Sequence, residues 1–345
     1  MQVRLLIVLL ILQFFNVSSQ NVLILGIDGC RVDALEKAHT PHLDSLKAQG
    51  IYCPTSWQLG KTKSGPGWSS MLTGVWDEKH QVTDNTFSNN AFANFPFFTS
   101  YLKRLDPSKK SAIIVGWKSF HRITKKDGSW DLAINAKGDE DGTQKAIDLL
   151  KKDTCDVIMI HFNDVDFAGH TTGFEPENEK YIRAIEETDR RIGEILNALR
   201  KRPNYKNEDW LILSSTDHGG IGKHHCGNSV QERKIWWLAS SNKLQKMEIV
   251  AEDPGSYFYE NMPVNREIVK NYPSIVDIAV TALDHLLPDL TSSDFASWGL
   301  QGKSWLNFNM NQEEFKDTYL IASKNEKKYF NNGCTIEITV KEFKK

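Results

Sequence analysis

Charge of one sign is what this 345-residue chain most plainly lacks: 42 Lys and Arg stand against 44 Asp and Glu, a net charge of −2. No basic excess marks a nucleic-acid surface, and no acidic block marks a solvating tail. Cysteine is scarce too, and none of the five (Cys30, Cys53, Cys155, Cys226, Cys334) falls in a CxxC pair, which excludes a zinc knuckle. Beyond the first twenty residues no apolar run approaches the ~20 residues that a membrane-spanning helix needs. The C-terminal end has no apolar tail of the kind a lipid anchor requires. Internal repeats and low-complexity stretches are missing as well. With 25% charged and 40% hydrophobic residues, the composition is that of a globular chain long enough for one large domain or two small ones.

What is present begins with a leader. Arg4 precedes an apolar run from Leu5 to Phe15, and small residues follow in Val17-Ser18-Ser19. This pattern predicts a secretory signal peptide over residues 1–19 and a single domain over 20–345. An uncleaved signal anchor, or a lumenal destination, is the alternative. In an oxidising compartment disulfides form, but an odd cysteine count leaves at least one thiol free and a chain of this length needs no staples, so one or two bridges at most are expected. The only glycosylation sequon, Asn16-Val17-Ser18, lies inside the leader.

Past the leader, short aliphatic runs alternate with amphipathic segments. Strands are predicted at Val22 to Ile27, Ala112 to Val115, Val157 to Phe162, Trp210 to Ser214 and Ile235 to Ala239. Each run is nearly continuous in apolar residues, as a strand covered on both faces of a parallel sheet should be. Helices are predicted at Thr40 to Gln49, Phe97 to Leu105, Thr143 to Lys152 and Glu177 to Arg202, with a packing helix from Ser274 to Leu287 and a further strand from Ile336 to Val340. The alternation points to an α/β fold with a doubly wound, mostly parallel sheet flanked by helices. Ligands of such sheets bind beyond the carboxyl ends of the strands. Polar residues do follow those ends: Asp28 after the first strand, Asp166 and His170 after Val157 to Phe162, Asp217 and His218 after Trp210 to Ser214.

Each piece has a bland reading. Asp28-Gly29 suits a turn, Asp166 and His170 suit a surface hydrogen bond, and His224-His225 lies in a His-rich tract of the sort that binds metal. Pro66 and Gly74 bracket a short helix with Ser64 at or just before its N-terminus. Ser64 is then either an N-cap or a nucleophile favoured by the positive end of the helix dipole. Trp57, Trp68 and Trp76 flank that helix and suit either core packing or a cleft that stacks on a ligand. The segment containing Trp117, His121 and Trp130 is expected to build the substrate pocket.

Taken together, residues 21 to 240 resemble the nucleotide pyrophosphatase/phosphodiesterase branch of the alkaline phosphatase superfamily. An Asp-Gly after the first strand, a Ser two residues before a Pro, AspxxGlyHis, AspHisGly and a final His occur here in the family's order. The resemblance implies an alkaline-phosphatase-like fold with two Zn2+ ions, one held by Asp166, His170 and His225 and the other by Asp28, Asp217 and His218 beside Ser64. It further implies that Ser64 attacks phosphorus and forms a phosphoseryl intermediate, while Asn85 and the Gly65 backbone N–H bind the non-bridging oxygens. Two features depart from the mammalian pattern. Gly65 precedes the Pro where those members carry another residue, and the final His follows AspHisGly within seven residues, as in shorter microbial-type members. His224 competes with His225 for that role, and the His-x-Gly-Asn context favours His225.

The expected activity is a secreted phosphodiesterase acting on a small phosphate ester of nucleotide or phospholipid-headgroup type. No Arg follows Ser64 to offset the additional charge of a monoester, although Lys61 and Lys63 lie close in sequence. A phosphomonoesterase or a sulfatase is the alternative within the superfamily. The sulfatase pattern Cys/Ser-x-Pro-x-Arg is broken here by Trp68. A non-enzymatic binding module would be expected to have lost part of the ligand set, and none is lost.

Overall fold

The computed structural model describes residues 19–306 and the backbone of three further strands between 318 and 338. The expected leader, apart from Ser19, and its sequon lie outside the described residues. Eight strands build the main sheet: β1 (Ser19–Ile27), β2 (Gly50–Trp57), β3 (Ser111–Val115), β4 (Leu132–Asn135), β5 (Val157–Phe162), β6 (Glu208–Ser215), β7 (Lys234–Ser240) and β8 (Met247–Val250). Their order is β4-β3-β5-β1-β6-β7-β2-β8, and every neighbouring pair is parallel except the two that involve β7. Beyond β8 the sheet continues antiparallel through Cys334–Ile338, Glu326–Asn331 and Thr318–Ser323.

The near-continuous apolar runs have a direct cause. In β1, Val22 and Ile24 enter one core with the Ser64–Thr73, Phe98–Leu105 and Asp277–Leu286 helices. Leu23, Leu25 and Ile27 enter a second core with the Pro41–Lys47, Asp139–Lys152 and Glu179–Arg200 helices. Both faces are thus covered by helices, the doubly wound arrangement expected.

One expectation needs correction. Ile235 to Ala239 does form a strand, but β7 runs antiparallel to both β6 and β2. Strand direction leaves no trace in such a run, because Trp236 and Trp237 are buried in opposite cores whichever way the chain passes. Three strands of the main sheet were not predicted, nor were Thr318–Ser323 and Glu326–Asn331 beyond it. β2 carries Pro54 and a register shift between Cys53 and Ser56, which breaks the strand pattern, and β4 and β8 are four residues each. Cys30, Cys53, Cys155 and Cys226 are all free thiols, so no bridge exists among the described residues. No helix among those residues is long and apolar enough to cross a membrane.

Leu25 is fully buried at the centre of β1, whereas Leu132 on edge strand β4 is 44% exposed. Leu25→Ala is expected to lower unfolding free energy by about 2–5 kcal/mol, and Leu132→Ala by about 0.5 kcal/mol or less. Urea unfolding followed by tryptophan fluorescence measures both.

Candidate active site

Strand register brings the polar residues level. Gly26 pairs with Ser215 across β1 and β6, so Asp28 and Asp217, each two residues further on, come level beyond the same edge. Ile27 pairs with Phe162 of β5, and the chain then enters the Asp164–Thr172 helix that carries Asp166 and His170. Asp28-Gly29 is indeed a turn, with Gly29 at φ +62°. A side chain at Gly29 is excluded twice over, since a Cβ there would lie 2.6 Å from Asp166 Oδ1. Its N–H donates to Asp217 Oδ1 at 3.1 Å.

Seven side chains spread over nearly two hundred residues of sequence meet at this edge. His218 Nε2 lies 3.5 Å from Asp28 Oδ1 and 3.3 Å from Asp217 Oδ2. Ser64 Oγ is 3.3 Å from Asp28 Oδ1 and 3.3 Å from His218 Nε2. Beside this set, His170 Nε2 lies 3.0 Å from His225 Nε2 and 3.4 Å from Asp166 Oδ2, and His225 Nε2 lies 3.8 Å from Asp166 Oδ1. The His218 and His225 rings stack at 3.8 Å, which joins the two sets. His224 is exposed and belongs to neither group of candidate ligands.

The three imidazoles share one construction. The Nδ1 atoms of His170, His218 and His225 lie 2.8–2.9 Å from the carbonyls of Lys223, Gly219 and Thr62. A carbonyl only accepts, so each Nδ1 carries a proton, and in the neutral ring each Nε2 then presents a lone pair to the site. Two such lone pairs face each other at 3.0 Å between His170 and His225.

Electrostatics points the same way. Burial works against ionisation of Asp28, but the hydrogen bond and charge of His161, the charge of His218 and the Trp68 hydrogen bond outweigh it and hold the carboxyl below its usual range. Burial, then the negative charge of Asp28, pushes Asp166 and Asp217 well above theirs. Burial depresses His218, and burial together with His218 depresses His225 to about 3. Asp166 Oδ1 and Asp217 Oδ2 are buried without a hydrogen-bond partner. Crowded carboxylates, inward lone pairs and orphaned oxygens are together the donor set that a metal cation satisfies.

Residues 22–105 match the family model for type I phosphodiesterase/nucleotide pyrophosphatase, and residues 113–230 match the model of the metalloenzyme superfamily. The chain is 26% identical over 227 residues to an uncharacterized pyrophosphatase/phosphodiesterase of Schizosaccharomyces pombe, covering 59% of this chain and 45% of that protein. It is 23% identical over 218 residues to human ectonucleotide pyrophosphatase/phosphodiesterase family member 5, covering 58% and 45%. The fold is that of an alkaline phosphatase superfamily protein from Vibrio parahaemolyticus, with a TM-score of 0.61 at 14% identity over 93% of this chain and 77% of the other. By family model and by sequence the chain is similar to the nucleotide pyrophosphatase/phosphodiesterases, and its fold is the alkaline-phosphatase one. It matches less than half the length of the two sequence relatives.

In this pyrophosphatase/phosphodiesterase-like chain Ser64 is the first helical residue of Ser64–Thr73, and the N-cap position belongs to Lys63. Ser64 makes no capping bond; its hydroxyl faces Asp28 and His218 instead. Gly65 needs correction as an open donor, because its N–H is spent on Asn85 Oδ1 at 2.8 Å. That bond orients the Asn85 amide and leaves the Asn85 Nδ2 donors without a partner among the described residues. Thr62, the neighbouring hydroxyl, donates to the Gly227 carbonyl at 2.8 Å. Trp57 and Trp76 are core residues, as the bland reading has it.

Trp68 is also buried, but its Nε1 donates to Asp28 Oδ2 at 2.9 Å. Sequence reasoning missed His161 altogether. It sits inside β5, where alternation hides its face, and its Nε2 lies 2.9 Å from Asp28 Oδ2. The only signal was an imidazole within an otherwise apolar strand.

A buried carboxyl whose folded pKa is raised contributes stability below its unfolded value, and that contribution is lost as pH rises through the folded value. Asp217 is such a group, with an ordinary value of 3.8. Asp217→Asn keeps the Oδ1 acceptor for Gly29 without the ionisation. In chelator, its melting temperature is expected to exceed that of the unsubstituted chain increasingly as pH rises from 4 to 8. Added Zn2+ should reverse the order. Thermal scans across that pH range, with chelator and with metal, check both signs.

Proposed function

We propose that the chain is a secreted zinc-dependent phosphodiesterase with two Zn2+ ions, one held by Asp166, His170 and His225 and the other by Asp28, Asp217 and His218 with Ser64. The observation that carries this reading is the pair of Nε2 lone pairs 3.0 Å apart beside orphaned carboxylate oxygens. Between two neutral imidazoles such a juxtaposition is repulsive unless a cation, a proton or a metal ion, lies between them. Mixed imidazole and carboxylate donors favour zinc over the all-oxygen sites of magnesium or calcium. When bound, the ions would withdraw charge from the attacking and departing oxygens of an in-line displacement.

The chain's own residues perform the rest. Ser64 Oγ forms a bond to phosphorus as its proton passes to solvent and the ester oxygen leaves with its electron pair and takes up a proton; water then displaces the serine oxygen from the phosphoserine, and a proton from that water restores the Ser64 hydroxyl. Asn85 Nδ2 donates to a non-bridging oxygen, where negative charge is held. The substrate is a small phosphate ester of nucleotide or headgroup type. Diester preference rests on the charge around Ser64. Gly65, Pro66, Gly67 and Trp68 follow it, the Trp68 indole is committed to Asp28, and the Lys61 ammonium sits over the Phe258 ring, 4.9 Å from its centroid. Lys63 is the cation left in that loop to meet an additional phosphate charge.

Ser64→Ala should cut turnover at least about a thousandfold, as loss of a covalent nucleophile does elsewhere, with circular dichroism unchanged. Retained turnover would move the nucleophile elsewhere.

On nitrophenyl substrates, kcat/KM for the diester should exceed that for the monoester by about tenfold or more, equivalent to ~1.4 kcal/mol of transition-state binding. A tenfold monoester preference, or turnover of the nitrophenyl sulfate alone, defeats the diesterase reading.

A further inference from the structure

Asp28 is held from behind by two buried donors that the expected ligand set does not include. His161 stands opposite Gly26 across β5 and β1, so the two share a sheet face, and Asp28, two residues beyond Gly26, falls on that face too. Gly26 supplies no side chain there, and Trp68 fills the space: a Cβ at Gly26 would lie 2.6 Å from the indole ring. Trp68 therefore reaches Asp28 alongside His161, and their rings meet edge to face at 4.8 Å. Phe120 and Trp117 close around the imidazole at 5.4 and 6.5 Å.

The consequence lies in how the two carboxylate oxygens are divided. Oδ2 receives Trp68 Nε1 at 2.9 Å and His161 Nε2 at 2.9 Å, which occupies both of its lone-pair directions. Oδ1 alone turns towards Ser64 and His218. Asp217 is divided in the same way, with Oδ1 on the Gly29 N–H and Oδ2 open. The set thus offers one oxygen from each carboxylate, one nitrogen from His218 and the Ser64 oxygen, four donors in all. Trp68 also lies one helical turn after Ser64, so a single carboxylate touches the nucleophile helix at both residues.

We propose that His161, with Trp68, is a positioning residue that restricts Asp28 to one donor oxygen and so sets the affinity of the Asp28, Asp217 and His218 set for its cation. His161 donates to the carboxylate and makes no recorded contact with Ser64 or the other ligands. This inference rests on the two-ion reading above.

Stripped protein titrated with Zn2+ against a chromophoric chelator tests it. The unsubstituted chain should take up two equivalents. His161→Phe removes the donor and should weaken one equivalent by about 10–100-fold, the usual effect of losing a partner behind a metal ligand, and leave the other within threefold. In His161→Gln an amide nitrogen can occupy the place of Nε2, and both equivalents should stay within threefold of the unsubstituted values. Trp68→Phe tests the same clamp from the helix side and should weaken the same equivalent, identified by its survival in a His170→Gln background. Unchanged binding in both His161→Phe and Trp68→Phe overturns the proposal. So does equal weakening of both equivalents that His161→Gln fails to rescue, which marks a merely structural role. Absence of zinc uptake by the unsubstituted chain instead overturns the metal reading itself, and this proposal with it.

Discussion

Asp28 and Asp217 are buried and Asp166 partly so, the three within reach of one another, and their mutual repulsion is the constraint that the surrounding donors must answer. Only Asp28 is supplied with enough donors to hold its charge, through His161 and Trp68. The other two are pushed towards the neutral form by burial and by Asp28 itself. Nearby imidazoles do not relieve the conflict, because burial depresses His218 and His225 and their Nδ1 protons are committed to backbone carbonyls. A site built this way is frustrated as bare protein and satisfied by positive charge. Functional sites are where such local conflict is tolerated.

The fold makes the conflict sustainable. β1, β5 and β6 are central strands covered by helices on both faces, so the backbone that carries the carboxylates has little freedom to relax apart. Close approach is built in through absent side chains. Gly29 lets Asp166 come against the Asp28 turn, and Gly26 admits Trp68 behind Asp28. The Ser64 helix is consequently tied to the sheet by the same carboxylate that faces its hydroxyl.

Much of this was legible in one dimension. The five strands predicted for the main sheet exist because fully buried strands must be apolar throughout, and the helix bracketed by Pro66 and Gly74 ends where Gly74 adopts the left-handed conformation, at φ +69°. The positions of Asp28, Asp166, His170, Asp217 and His218 after strands were equally readable, since motif and strand end coincide. β2 was hidden by Pro54 and its register shift, and β4 and β8 by their shortness. The Gly65 donor was misjudged because its partner, Asn85, is twenty residues away and reaches it only by tertiary folding.

By itself the sequence determined the covered α/β sheet and the residue types delivered to its carboxyl edge, because hydrophobic period and motif spacing are local properties of the chain. Tertiary structure alone decided that β7 runs antiparallel, that Ser64 faces Asp28 and His218 without capping its helix, and that His161 and Trp68 converge on one oxygen of Asp28. Strand direction, side-chain aim and hydrogen-bond partnership between residues 36 to 154 positions apart depend on register and packing, which no stretch of sequence contains.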